Sequence, residues 1–367
     1  MSVKYPDYDK CITNLTCSIL KEFRVEPKHQ TLPIVDRLLN KNYKNVVVLL
    51  LDGMGINIME KNLEENGFFR NHLADVYSSV FPPTTVAATT SVDCGLFPNE
   101  HCWLGWDCYF KELDENVTVF TNTLTDTDIP AADFHVAFRY CPYQNVGKQI
   151  QEAGGQVFYA TPFVKPYPSD FDSICQRIEE LCQQDGKKYI YAYWNEPDST
   201  MHKKGCYGVD AKEVIQKLES RVEKLCEKLE DTLVLITADH GHMDSAGETL
   251  EDYPQLLECL VRMPSIEPRA LNLFIKDGMK EQFEREFQKA FGDKFLLLTK
   301  QEVKGKQLFG TGTGHARFEE MLGDYLAVAV SDLSIYNTRE QKETFIGVHA
   351  GLTREEMEIP LIVISKK

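Results

Sequence analysis

Asp52, Asp198, His202, Asp239, His240 and His349 are carboxylate and imidazole side chains, the ligand types that zinc and manganese take up readily. The first five sit at or just beyond apolar runs. Asp52 closes "NVVVLLLDG", Asp198 and His202 follow "KYIYAYWNEPD", and Asp239 and His240 close "TLVLITADHG". His349 lies in "GVHAGLTREEMEIPLIV", a loop leading into the last apolar run. Any one of these residues alone reads as a turn, a helix cap or a satisfied histidine. Together, three aspartates and three histidines can supply two adjacent sites for divalent ions.

The stretch "VFPPTTVAATTSVDCG", Val80 to Gly95, crowds hydroxyls around two prolines. One reading is a small-residue helix entered at Pro82 and Pro83, with Thr84 or Thr85 as N-cap. The other makes one threonine a nucleophile at a helix N-terminus, where free N–H groups stabilise developing negative charge. Between two cations the hydroxyl of Thr85 would ionise at neutral pH. Such a pair of ions stabilises both the attacking and the leaving oxygen of an in-line displacement at phosphorus. Thr84, Thr89, Thr90 and Ser91 are left to capping and packing, with Thr89 and Thr90 facing the core.

Positioning these residues requires strands. Within Asn45–Gly53, Val46 to Leu51 are all valine or leucine, the pattern of a strand buried on both faces. Lys188–Asp198, Thr232–Gly241 and Ile359–Ile364 read the same way. Val214, Ile215, Leu218, Val222, Leu225 and Leu229 recur at helical spacing on an otherwise charged segment. The alternation predicts an α/β fold of parallel strands and crossover helices, whose ligands gather at the carboxyl ends of the strands. Residues 264–336 differ: "ALNLFIKDG", a helix with Phe283, Phe287 and Phe291, and "FLLLTKQE" suggest an inserted α+β subdomain. The expected division is a catalytic core of residues 1–263 and 337–367 around an insert of residues 264–336. The glycines of "FGTGTGHARFEEMLGDY" follow no strong strand and make a weak nucleotide fingerprint.

A formal charge of −16 over 367 residues argues against a nucleic-acid backbone as partner. No segment approaches the ~20 apolar residues of a membrane span, and the N-terminus lacks a signal-peptide core. Eleven scattered cysteines with no C-x-x-C pair suit reduced thiols, and the expected location is cytoplasmic.

In the order and type of these motifs the chain resembles the alkaline phosphatase superfamily, and within it the type I phosphodiesterase/nucleotide pyrophosphatase family. The resemblance rests on "VVVLLLDGMG", "FPPTTVAATTSVDCGLFPNEH", "YWNEPDSTMHKKG", "ITADHGHMD" and "VHAGLTREEMEIPLIV". It implies an alkaline-phosphatase-like core with a mostly parallel central sheet flanked by helices. It also implies a hydrolase of phosphoric esters with two divalent ions, zinc first and manganese next, and a covalent phosphothreonine intermediate. Asp198, His202 and His349 would bind one ion, and Asp52, Asp239 and His240 the other. Thr85 would bridge and attack, chosen over Thr84 by its spacing from Gly95.

One departure stands out. Where the family usually carries an asparagine that holds a phosphoryl oxygen, this chain has Trp106, and an indole N–H cannot copy a carboxamide. Trp106 is therefore expected either to contact the substrate and line an apolar pocket or to pack beneath the metal site. Arg317 is a candidate phosphate clamp, or the partner of Glu319 or Glu320. His242, His315, Lys203 and Lys204 are secondary candidates. The expected partner is a small phosphate ester; a phosphomonoesterase, a phosphomutase and a non-catalytic metal-binding relative remain as alternatives.

Overall fold

A computed structural model describes residues 2–367. Its central sheet has six strands, in the spatial order Leu73–Ser78, Glu358–Lys366, Thr232–Thr237, Asn45–Leu51, Lys188–Trp194 and Gln156–Ala160. Asn45–Leu51 pairs in parallel with both of its neighbours, and Gln156–Ala160 in parallel with Lys188–Trp194. Every residue of Asn45–Leu51 and Thr232–Thr237 is buried, as their unbroken apolar sequence requires. The expectation of a parallel strand over Ile359–Ile364 does not hold. That segment runs antiparallel to both its neighbours; a buried apolar run carries no information about strand direction.

Helices cover the sheet with the faces their periodicity dictates. Val209–Glu227 buries Ile215, Leu218, Val222 and Leu225. Phe171–Gln183 starts at Asp170, whose carboxylate accepts from the Ser173 N–H at 2.7 Å, an N-cap that satisfies an otherwise orphan donor. Among the described residues no helix is long and apolar enough to cross a membrane, and all eleven cysteines are unpaired.

A second sheet, antiparallel throughout and seven-stranded, is built from two distant parts of the chain. Strands 295–299, 325–329, 270–273 and 265–267 come from the expected insert, and 107–110, 115–118 and 123–124 continue the sheet. Three of the seven strands of this sheet thus come from outside residues 264–336. The junction is the pairing of Ile266 with Asp107. It needs Gly105, where a Cβ would lie 2.8 Å from the Ile266 side chain. Alternate residues feed two cores on opposite faces of this sheet, as a period of two demands. Ala270, Leu326 and Val328 join Trp103, Phe110 and Phe309 on one face. Leu271, Leu273 and Ala327 join Phe283, Phe287 and Phe291 on the other.

Arg269 and Glu356 tie the two units together. Both are fully buried, and the guanidinium grips the carboxylate with two bonds of 2.6 and 2.9 Å. Glu356 also accepts from the N–H of Gly351 and from the hydroxyl of Thr353, while its backbone carbonyl accepts from Gly241 N–H. One residue thus braces the loop after His349 and the loop after His240.

Candidate active site and metal centre

The site forms because three strand ends are level. Leu51 pairs with Trp194, and Leu50 with Thr237, so the chain emerges from all three strands at one edge of the sheet. Asp52 follows directly. Asp239 and His240 come two and three residues after Thr237, and Asp198 opens the helix Asp198–Lys204, which presents His202 one turn later on the same face. His349 follows the short strand Gly347–Val348, itself paired with Met243–Asp244. Thr85 is the first residue of the helix Thr85–Cys94.

The side chains converge. His240 Nε2 lies 3.3 Å from Asp52 Oδ1 and 3.7 Å from Asp239 Oδ2. Thr85 Oγ1 is 3.2 Å from that imidazole nitrogen and 3.5 Å from Asp52 Oδ1. Asp198 Oδ1 lies 3.3 Å from His202 Nε2 and 3.8 Å from His349 Nε2. A tetrahedral ion with bonds of about 2.0–2.1 Å spaces its ligands by about 3.3 Å, so these separations fit a divalent ion. Asp198 Oδ1 and Asp239 Oδ2 are buried and have no hydrogen-bond partner. Orphan carboxylate oxygens of this kind are costly unless a ligand meets them.

Backbone carbonyls set the imidazole orientations. Nδ1 of His202 faces the Gly347 carbonyl at 2.8 Å, Nδ1 of His240 the Gly241 carbonyl at 2.9 Å, and Nδ1 of His349 the Pro83 carbonyl at 3.2 Å. A proton on each Nδ1 leaves Nε2 free as a ligand atom, the usual outer arrangement of a metal site. Tyr193 donates its hydroxyl to Asp52 Oδ2, and Gly53 N–H donates to Asp239 Oδ1 at 3.1 Å.

Without an ion the groups repel and exchange protons. Burial, and next the charge of Asp52, push the Asp239 carboxyl well above the usual range. Burial opposes a charge on His240, but Asp239 and Asp52 outweigh it and raise its pKa to about 10. In the metal-free protein His240 thus adds stability that is complete below its unfolded value near ~6.5 and is lost as pH rises through about 10. An ion competes with that proton. Metal binding at pH 8 is expected to release protons and to tighten as pH rises. Calorimetry in two buffers of different ionisation enthalpy checks this, since equal heats would contradict it.

Among the described residues, side chains whose ligand atoms lie close together include Asp52 with Asp239 and His240, Asp198 with His202 and His242, and Asp198 with His240 and His349. The first is the expected trio. His349 Nε2 lies 3.8 Å from Asp198 Oδ1 and its ring 5.2 Å from that of His202, and it also stacks on His240 at 3.8 Å. A fourth group, Cys102, Cys141 and His315, is separate from these.

A cavity of about 420 Å³ opens over Thr85, Asp198, His202 and His349, and Trp106 and Glu267 form part of its wall. Trp106 is 44% exposed, which places it at the rim rather than beneath the metal ligands. Arg317 is not among the lining residues. Its guanidinium is engaged by Glu112 and Glu320 and lies over the Tyr140 ring, the structural role of an ion pair rather than a clamp. Lys203 and Lys204 face solvent. Glu267 carried no signal in the ordinary-looking "SIEPRAL". It accepts from Thr84 Oγ1 at 2.5 Å and Trp106 N–H at 3.0 Å, and burial pushes its carboxyl up to about 7. Of the other hydroxyls, Ser91 and Thr90 are buried, Ser91 against His101, whereas Thr89 is only half-buried and bonds back to the Thr85 carbonyl.

The family model described as type I phosphodiesterase / nucleotide pyrophosphatase matches residues 46–349, from the first strand of the central sheet to the last histidine. The chain belongs to this family. It is a hydrolase acting on phosphoric ester bonds, and the family is metal-dependent. No curated protein matches the chain. Among solved structures it is similar to murine ectonucleotide pyrophosphatase/phosphodiesterase 5, an inactive threonine-to-alanine variant in complex with AMP. The TM-score is 0.66 at 17% identity, covering 86% of this chain and 87% of that one. The human counterpart gives 0.66 at 16% identity, covering 87% of each chain. Phosphonoacetate hydrolase from Sinorhizobium meliloti 1021, in complex with phosphonoformate, gives 0.63 at 14%, covering 86% of this chain and 89% of that one. These likenesses establish an alkaline-phosphatase-like fold.

Proposed function

We propose that this family member is a phosphodiesterase that uses Thr85 as its nucleophile and holds two divalent ions, zinc in preference to manganese. The observation that carries the reading is the position of Thr85 Oγ1, within 3.5 Å of both His240 Nε2 and Asp52 Oδ1 at the floor of the cavity. The imidazole-rich donor set favours zinc. Bound there, the ions would lower the threonine's pKa and neutralise charge on the transferring phosphoryl group.

The chain's own residues supply the rest. Thr84 is the N-cap of the helix Thr85–Cys94 but makes no capping bond, because its hydroxyl turns to Glu267. The first N–H groups of that helix therefore stay available to phosphoryl oxygens. Thr85 Oγ1 forms the new P–O bond as the ester oxygen leaves with a proton. Water then attacks phosphorus, and the threonine hydroxyl is restored as the phosphate product departs.

Diesters are favoured over monoesters by charge. Among the described residues no lysine or arginine lines the cavity, whereas Asp107, Asp126 and Glu267 do. A diester carries one negative charge and a monoester close to two, so the acidic wall penalises the monoester more. The same lack of basic groups speaks against a phosphomutase, which must retain a phosphorylated product. Zinc-loaded protein is expected to hydrolyse bis-p-nitrophenyl phosphate faster than p-nitrophenyl phosphate. The reverse order would make it a monoesterase, and inertness toward both with metal bound would mark a non-catalytic relative.

A further inference from the structure

His242 is fully buried beside the site, and neither of its ring nitrogens has a hydrogen-bond partner. Its place follows from the chain. It comes two residues after His240, immediately before the short strand Met243–Asp244. The two rings stand 6.0 Å apart, His240 by Asp52 and Asp239, and His242 by Asp198. Gly241 between them leaves no room for a side chain, since a Cβ would meet the Glu355 carbonyl oxygen at 1.9 Å.

His242 Nδ1 lies 3.3 Å from Asp198 Oδ1, the same separation that His202 Nε2 keeps from that oxygen. The angle does not make this a hydrogen bond, and Asp198 Oδ1 is itself an orphan. Three unpartnered or lone-pair atoms at tetrahedral-edge spacing describe a coordination sphere better than a pairing of side chains. The neighbours fit that role. Gly347 holds His202 through its carbonyl, and its missing side chain admits the His242 ring, whose Cδ2 would lie 2.9 Å from a Cβ there.

We propose that His242 ligates, through Nδ1, the ion held by Asp198 and His202, giving the centre four imidazoles in all: His202, His240, His242 and His349. This rests on the two-ion reading above, and adds a ligand that the family resemblance did not assign. The added imidazole would tighten the binding of that ion.

The test uses the full-length protein loaded with Co²⁺. Each coordinated imidazole contributes one exchangeable, paramagnetically shifted N–H proton resonance. Four such signals are expected; three would overturn the proposal while leaving the two-ion reading intact. Failure to bind Co²⁺ or Zn²⁺ at all would overturn both. His242→Leu, close in volume and without a ligand atom, is expected to remove one signal and weaken one ion by at least ~10-fold, since even outer-shell losses reach that range. Unchanged affinity for both ions with all signals retained would contradict ligation. Should the variant not fold, the signal count of the wild-type protein decides alone.

Discussion

Replacing Thr85 with alanine is expected to lower turnover by roughly 10⁴-fold or more, the scale on which loss of an activated nucleophile acts. The melting temperature should barely move. Thr84, not Thr85, occupies the N-cap, and Thr85 Oγ1 meets only the metal-site atoms of Asp52 and His240. Its removal therefore takes no support from the helix. Thr84→Ala is the control: it keeps the nucleophile and frees Glu267, so it should alter substrate affinity or pH dependence far more than it alters the chemical step. Steady-state rates measured alongside metal content and melting temperature distinguish the outcomes. Near-wild-type turnover in Thr85→Ala would refute the mechanism.

The second large effect concerns Glu356, which touches no ligand atom. Glu356→Ala should destabilise the protein by about 3–5 kcal/mol, because it strands the fully buried Arg269 guanidinium without its counter-charge. It also removes the acceptor for Gly351 N–H and the Thr353 hydroxyl, loosening the segment that carries His349. Metal affinity should fall together with stability. Substituting Arg269 as well, as Arg269→Met with Glu356→Ala, should cost less than the sum of the single changes, since no unpaired charge is then left inside.

The pH dependence of that ion pair has a definite sign. Burial disfavours the Glu356 charge, but Arg269 and the bonds to Thr353 and Gly351 prevail and hold the carboxyl below its ordinary value. A depressed folded pKa means that the contribution is present above the unfolded value near ~4.3 and lost as pH falls through the folded one. Acid unfolding of wild type should therefore be steeper than that of Glu356→Gln in this range. Denaturant melts of both proteins at a series of acidic pH values check the difference in slope.

Much of the core was legible in the chain because its signals are local. An apolar run as short as Val46 to Leu51, rich in valine, reads as a strand buried on both faces, and a polar residue immediately after it emerges at a sheet edge. The i, i+4 spacing of Asp198 and His202 puts both on one helix face. Strand direction was not legible for Glu358–Lys366, nor was the extent of the second sheet, because both depend on pairing between segments far apart in sequence. Ile266 meets Asp107 across more than a hundred and fifty residues, and only the absence of a side chain at Gly105 hints that another chain passes there.

The sequence by itself determined which side chains could bind a divalent ion, that they follow strands, and that a threonine stands at the start of a helix near them. Those are properties of residue type and short-range spacing. Only the tertiary structure decided how they are shared out: that Asp198 faces His242 as closely as His202, that His349 stacks on His240, and that Arg317 is spent on Glu112 and Glu320. It also decided that a half-buried Glu267 stands by the nucleophile's neighbour. Such partnerships are set by distances of a few ångströms between loops whose paths depend on packing elsewhere, and no local pattern in the chain encodes them.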